Sequence, residues 1–218
     1  MNLIVISELF PPEETSTAYI MGEITKTLSD KYNVTIVCGP EVYDQNKLTV
    51  LPKSSLIAGV TTIRVKGIKE NKANKLSRIR KFLLMSWRLY KASKKVINKG
   101  DKVLLVSNPF PLLILMAFHR KKMDYEISFL AHDLFPEPLL MRFKLPNLVY
   151  RQCLNIFNRS YARMDKIISL GRDMTDVLRE KTMPYNPNLE IIQIENWGDI
   201  NSIYPMDTHS DSDKITIE

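Results

Sequence analysis

The beginning of the chain constrains the fold most strongly, because it passes from a strand pattern to a helix pattern across a loop that fits neither. Residues 2–7 form a short unbroken apolar run, as a strand buried on both faces requires. Pro11 and Pro12 then remove two backbone donors. Helical spacing follows, with Met21 and Leu28 on one face. A buried strand leading into a helix is typical of an α/β doubly wound domain.

The same alternation continues along the rest of the chain. Strands are predicted at 34–38, 61–65, 101–107, 125–131, 166–170 and 189–194. Helices are predicted at 74–98, 111–119 and 173–181, with a long helical region at 139–163 that is broken near Pro146. This order predicts a Rossmann-like, mainly parallel sheet with helices on both faces. In such sheets, ligands bind beyond the carboxyl ends of the strands.

Composition indicates an ordinary globular protein in a reducing compartment. Hydrophobic residues make up 44% of the 218 residues and charged residues 25%. Cys38 and Cys153 lie far apart in apolar surroundings, which predicts buried free thiols rather than a disulfide. The sequence has no signal-peptide pattern and no apolar run long enough to span a bilayer, so we expect a cytoplasmic protein.

The formal net charge of +7 is concentrated in one segment. Ten of the 31 basic residues lie between Asn71 and Lys99, a segment that contains no acid, so the rest of the chain is mildly acidic. The predicted helix 74–98 also has an apolar arc wider than packing on one sheet face requires. A helix with this pattern is typical of a membrane surface, to which anionic lipid attracts basic residues. The residues assigned to that surface are Arg78, Arg80, Lys81, Trp87 and Arg88.

Two other interpretations of this helix remain open. The same pattern is typical of a helix that covers the sheet and exposes a basic face to solvent. Nucleic acid is the other polyanion, but the sequence has no recognition motif for it, so we expect no nucleic-acid partner.

The loop between the first strand and the first helix is a candidate site for a phosphate or a sugar. Its polar residues are Glu13, Glu14, Thr15, Ser16 and Thr17, and the free N–H groups of a helix start attract anions. The two acids would repel a phosphate and suit sugar hydroxyls better. The alternative is a capped helix whose acids favour the helix dipole. The chain has no G-x-G-x-x-G and no P-loop, which argues against nicotinamide and ordinary ATP chemistry.

Two further polar groups follow predicted strands. His132, Asp133 and Glu137 suit hydrogen bonding to a polar substrate or acid–base chemistry, although a turn with an Asp cap would look the same. Asn196 and Asp199 are turn residues or ligand contacts. The histidines show no metal-ligand spacing, so no metal is expected.

These segments, in this order, resemble a known enzyme family. The matching pieces are the first strand with Phe10-Pro-Pro-Glu13, then Asp133-Leu-Phe-Pro-Glu137, Ile168-Ser-Leu with Arg172, and Ile194-Glu-Asn-Trp-Gly-Asp199. Together they resemble the N-terminal half of a glycosyltransferase family 4 enzyme with the GT-B architecture. The similarity is greatest to members that build bacterial capsule, O-antigen or colanic-acid-type polysaccharide. One departure is the first loop, where many relatives carry glycines.

The resemblance implies a two-domain enzyme that transfers a sugar with retention of anomeric configuration. Residues 1–205 would be the acceptor-side domain, and 206–218 a linker with the truncated start of a donor-binding domain. The 218-residue chain alone would then be inactive. The nucleotide-sugar would be a substrate, and no cofactor or metal would be needed.

The resemblance also assigns roles to the candidate residues. The loop Glu13–Thr17 would border the acceptor and the donor diphosphate, while His132 and Asp133 would be catalytic and face the transferred sugar. Glu137, Arg172, Asn196 and Asp199 would line the cleft.

The implied acceptor is a saccharide on a polyprenyl diphosphate, reached from the inner face of the bacterial plasma membrane. A hypothesis from another class is a non-catalytic, flavodoxin-like module that docks on anionic membrane through the helix 74–98.

Overall fold

Strands alternate with helices along the chain, as the sequence predicts. A computed structural model describes residues 1–41, 57–71, 73–138 and 146–198. The strands are β1 (Asn2–Ser7), β2 (Asn33–Cys38), β3 (Val60–Arg64), β4 (Lys102–Val106), β5 (Glu126–Ala131), β6 (Lys166–Ser169) and β7 (Glu190–Gln193). The helices are α1 (Ser16–Ser29), α2 (Lys75–Ser93), α3 (Pro111–Arg120), α4 (Asn147–Tyr161) and α5 (Arg172–Thr182).

The seven strands form one parallel sheet in the order β3-β2-β1-β4-β5-β6-β7. The strand β1 lies near the middle, where Val5 is in register with Ile36 of β2 on one side and Leu104 of β4 on the other. The chain order reverses between β1 and β4, and this is the switch point at which doubly wound sheets bind ligands. The predicted Rossmann-like fold class is confirmed.

Two hydrophobic clusters lie on opposite faces of the sheet. The larger one joins Ile4 and Ile6 of β1 to α2, α3, α4 and α5, which pack side by side as one layer. The smaller one joins Leu3 and Val5 to Met21 of α1. The alternate side chains of β1 therefore belong to different clusters, because successive residues of a strand point to opposite faces.

The start of α1 is fixed by the loop that precedes it. Thr15 is the N-cap, and its hydroxyl accepts a hydrogen bond from the backbone N–H of Ala18 at 3.2 Å. Gly22 lies against the loop so closely that a Cβ there would be 2.7 Å from Cγ of Pro11. The first loop and the first helix therefore pack as one unit.

Several sequence expectations need correction in detail. The basic helix ends at Ser93 rather than near Asn98, because the Asp101 carboxylate accepts from the N–H of Asn98 at 2.7 Å and turns the chain into β4. Both cysteines are free, as predicted, but Cys153 is only half-buried. The fourth helix begins at Asn147, and residues 139–145 lie outside the described part of the chain. No described helix has both the length and the apolar content to cross a bilayer.

We predict that Gly39→Ala destabilises the fold by at least about 2 kcal/mol. A Cβ at this position would lie 2.4 Å from the backbone oxygen of Glu8, so one of the two chain segments must shift. Urea denaturation measures the change in the free energy of unfolding. In the matched variant Gly171→Ala, the new Cβ meets nothing within 4 Å, and we expect a loss of less than about 1 kcal/mol. Equal losses in the two variants would contradict this packing.

Candidate functional site

All the strands are parallel, so the segments that follow them meet at one edge of the sheet, which we call the carboxyl edge. The segments after β1 and β5, which contain Glu13–Thr17 and His132–Glu137, both lie there. Asn196 lies in the segment after β7 at the same edge, whereas Asp199 is outside the described residues. The described segments that the sequence singled out thus lie at the same edge of the sheet, and the roles of their residues remain predictions.

The first loop borders an open pocket of about 450 Å³ whose lining includes Glu13, Glu14, Thr15 and Ser16. Arg64 at the end of β3 holds the loop by donating to the carbonyl oxygen of Pro11. Because the loop is bound to β3 on one side and packs against α1 on the other, the backbone that carries its polar residues is held in place. This is the geometry that a sugar or phosphate site needs.

The loop after β5 is positioned by the end of β4. The hydroxyl of the buried Ser107 accepts hydrogen bonds from the N–H groups of both His132 and Asp133, each at 3.2 Å. The Asp133 side chain is exposed at the carboxyl edge. One serine therefore sets the backbone direction of both candidate catalytic residues.

His132 is partly buried, and its Nε2 has no hydrogen-bond partner among the described residues. Burial lowers the pKa of His132, although the charge of Asp133 opposes this. The imidazole is therefore neutral at pH 7. A neutral imidazole can donate a hydrogen bond to one sugar hydroxyl and accept one from another, and the neighbouring Asp133 oxygens can also accept.

The same loop is anchored at two further points. The hydroxyl of Tyr161 accepts from the N–H of Phe135 at 3.1 Å, and the Phe135 ring stacks on Phe110 with 4.5 Å between centroids. Glu137 forms an ion pair with the buried Lys181 of α5. One oxygen of this carboxylate is thus occupied inside the domain, so Glu137 contributes to holding the loop.

The remaining cleft candidates lie apart from the first loop. Arg172 is exposed at the first position of α5. Asn196 and Trp197 line a groove of about 510 Å³ beside α1, and this groove shares no lining residue with the pocket of the first loop. The structure does not bring Asn196 and Glu13 into a common cavity.

Some basic residues of α2 are held by contacts within the domain and others are exposed, a difference that the sequence could not predict. Lys81 is buried and bound to Glu70 at 3.0 Å, and Arg78 binds the same carboxylate at 3.2 Å. Arg88 donates to the carbonyl oxygens of Lys66 and Gly67 at 2.7 and 2.9 Å. Arg80 also donates to the carbonyl oxygen of Lys69 at 3.4 Å. Four of the five residues predicted to face a membrane therefore contact the β3–α2 connection.

The pKa of Glu70 reflects these contacts. Burial would raise it, but the hydrogen bonds and charges of Lys81 and Arg78 outweigh burial and lower the pKa. Glu70 is therefore ionised at neutral pH and compensates two basic residues of α2.

By contrast, α2 presents a row of exposed apolar side chains, which we call the α2 apolar stripe. It consists of Leu76, Ile79, Leu83, Leu84 and Trp87, which are 38–75% exposed. Arg80 is also exposed beside it. So much exposed apolar surface on one helix is characteristic of an interaction site.

Sequence reasoning missed Glu8, which follows β1 at the carboxyl edge. Its side chain is buried, and neither carboxylate oxygen has a hydrogen-bond partner in the described part of the chain. Burial raises the pKa of Glu8 to about 7, an effect that Lys81 opposes and Glu70 reinforces. The available signal was an acid placed directly after a fully apolar strand.

Comparison with known proteins shows similarity to glycosyltransferases. No family model matches the chain. A curated relative, the probable glycosyltransferase WbjE of Pseudomonas aeruginosa, is 24% identical over 210 residues, which cover 94% of this chain and 50% of the relative. The chain thus spans about half the length of the curated relative it matches.

Solved structures share the fold at low sequence identity. The N-terminal domain of Candida albicans trehalose-6-phosphate phosphatase aligns over 89% of this chain and 48% of that one, with a TM-score of 0.61 and 11% identity. A UDP-forming trehalose-phosphate synthase from Burkholderia xenovorans, in complex with glucose-6-phosphate, aligns over 84% and 43%, with a TM-score of 0.51 and 11% identity. The chain has a Rossmann-like fold, and its structural neighbours include GT-B glycosyltransferases.

We predict that Glu8→Gln removes a pH dependence of stability. Between pH 4.5 and about 7, the unfolded chain has lost the Glu8 proton and the folded chain retains it, so wild-type stability falls as pH rises. Relative to the variant, the wild type should lose about 3 kcal/mol from about pH 4 to about pH 8. Urea denaturation at both pH values checks this. The exposed Glu180→Gln is the control, and parallel pH profiles for the wild type and Glu8→Gln would contradict the assignment.

Proposed function

We propose that this chain is the acceptor-side domain of a retaining glycosyltransferase that acts in bacterial surface polysaccharide synthesis. It would bind a saccharide on a polyprenyl diphosphate and receive a sugar from a nucleotide-sugar held mainly by a second domain. The observation that carries this proposal is the His132–Asp133 pair fixed by Ser107 at the open carboxyl edge. The half-length similarity to a probable glycosyltransferase supports it. Residues 1–205 would form the domain, with 206–218 leading to its partner.

The reaction requires few groups from this half. The bond between the anomeric carbon and the diphosphate oxygen breaks, a new bond forms to an acceptor hydroxyl oxygen, and the hydroxyl proton passes to the departing diphosphate. A neutral His132 and the side-chain oxygens of Asp133 can hold the hydroxyls of the reacting sugars by hydrogen bonds. Among the described residues, no three His, Cys, Asp or Glu side chains are grouped so that they could hold a metal ion.

The first loop is proposed to contact the acceptor rather than the donor diphosphate alone. Its lining, as far as the structure describes the chain, contains Glu13 and Glu14 and no basic residue. Carboxylates accept hydrogen bonds from sugar hydroxyls and repel phosphates, so the pocket suits a saccharide.

A lipid-linked acceptor is favoured by the position of α2. This helix follows β3, so its first turn lies towards the carboxyl edge and the α2 apolar stripe extends away from it. A helix with exposed apolar residues and basic neighbours suits the surface of an anionic membrane. The saccharide of a polyprenyl-linked acceptor would then reach the carboxyl edge while its polyprenyl chain stays in the membrane.

The test is a transfer assay with the full-length protein, a panel of nucleotide-sugars and a short-chain polyprenyl-diphosphate sugar. We predict that His132→Ala lowers kcat/KM about 100-fold, because a group that hydrogen-bonds the reacting sugar is lost. Asp133→Asn should lower it by a similar factor. Radiolabel transfer to the acceptor provides the measurement.

The control is Glu180→Gln, an exposed change on α5 away from the carboxyl edge, which should keep wild-type activity. Absence of transfer from every nucleotide-sugar would contradict the proposed function. Full activity of His132→Ala would contradict the role of that residue alone.

A second candidate function is favoured by the α2 apolar stripe itself. A non-catalytic module that docks on anionic membrane would need that stripe but no catalytic residues at the carboxyl edge. Binding of the full-length protein to vesicles, without any sugar transfer, would favour this alternative.

A further inference from the structure

A cationic groove lies between the edge strand β3 and the second half of α2. It has a volume of about 530 Å³, and its apolar lining comes from Ile63, Val65, Ala92 and Val96. The rest of its lining is basic: Lys66, Arg88, Lys91 and Lys95. Among the described residues no acid lines the groove, and β3 is the last strand of the sheet on this side. The groove therefore lies at the outer side of the sheet, beside the end of β3.

Three of its four cations form no hydrogen bond or ion pair within the part of the chain that the structure describes. Arg88 is held by the carbonyl oxygens of Lys66 and Gly67. Lys66, Lys91 and Lys95 are exposed, and within the described ranges none of them forms a salt bridge. Three positive charges around an apolar floor complement an occupant that is both anionic and partly apolar.

The groove is continuous with the α2 apolar stripe. Lys91 lines the groove and also lies over the Trp87 ring, with its Nζ 5.7 Å from the ring centroid. Trp87 is 47% exposed, and Leu83 and Leu84 beside it are 55% and 41% exposed. Tryptophan prefers the level of lipid headgroups, and apolar side chains prefer the acyl layer below.

We propose that this groove binds the anionic headgroups of membrane phospholipids. Lys66, Lys91 and Lys95 would contact headgroup phosphates while the α2 apolar stripe enters the outer acyl region. The proposal rests on the proposed function, since it specifies how a membrane-bound acceptor is approached. Arg78, Lys81 and Arg88 were predicted to face the membrane, but they are held by contacts within the domain. The proposal assigns the headgroup contacts to three lysines outside that predicted set.

The observations favour lipid over an acidic peptide. An acidic peptide could pair with the free edge of β3 and meet the same three lysines. It would leave the α2 apolar stripe exposed to water, whereas a bilayer accounts for the lysines and the stripe together.

The test measures binding of the chain to phosphatidylcholine vesicles with and without phosphatidylglycerol. We predict that the triple variant Lys66→Glu, Lys91→Glu and Lys95→Glu binds the anionic vesicles about 100-fold more weakly than wild type. The matched control is Lys31→Glu, Lys121→Glu and Lys122→Glu, which makes the same charge change at exposed lysines elsewhere. We expect the control to lose less than about 5-fold. Thermal unfolding of both variants verifies that they are folded.

Three results would overturn the proposal. They are unchanged vesicle binding by the groove variant, equal losses in the groove and control variants, and binding of a glutamate-rich peptide by a wild-type chain that does not bind vesicles. The full-length groove variant should still transfer sugar to a water-soluble short-chain acceptor at the wild-type rate. If the wild-type protein itself transfers no sugar, the proposed function fails, and the vesicle result still decides the groove.

Discussion

The parallel direction of all seven strands is the constraint on which the rest of the structure depends. Parallel strands need a crossover between each pair, so every return helix lies on a face of the sheet and every strand ends at the same edge. Residues as distant in sequence as Glu8, Ser107 and His132 are thereby brought to one edge. The polar segments that follow β1, β4 and β5 are therefore grouped at that edge.

Buried polar anchors then turn that edge into a site with a fixed shape. Ser107 directs the loop after β5, Arg64 holds the loop after β1, and Glu70 ties the connection after β3 to α2. Each anchor satisfies backbone or charged groups that would otherwise be buried without a partner. Glu8 is the exception: its carboxyl is buried without a hydrogen-bond partner among the described residues, and burial raises its pKa.

The sequence was sufficient for the fold and for the location of the candidate site. Apolar runs such as residues 2–7 and the helical spacing after Thr15 are local patterns, and the parallel sheet follows from their alternation. The side-chain partners could not be predicted in this way. Lys81 and Arg80 are one residue apart on α2, yet the first is buried against Glu70 and the second is exposed. That difference depends on how the β3–α2 connection folds back, which no local pattern encodes.

The central claim is that the carboxyl edge is the face that binds the acceptor saccharide. Amide hydrogen exchange of the chain, measured with and without a water-soluble short-chain polyprenyl-diphosphate sugar, tests this claim most directly. The account predicts slower exchange in residues 9–17 and 132–138, with no change at the amino ends of the strands. Protection confined to the amino ends, or no protection at a saturating concentration of the saccharide, would contradict it.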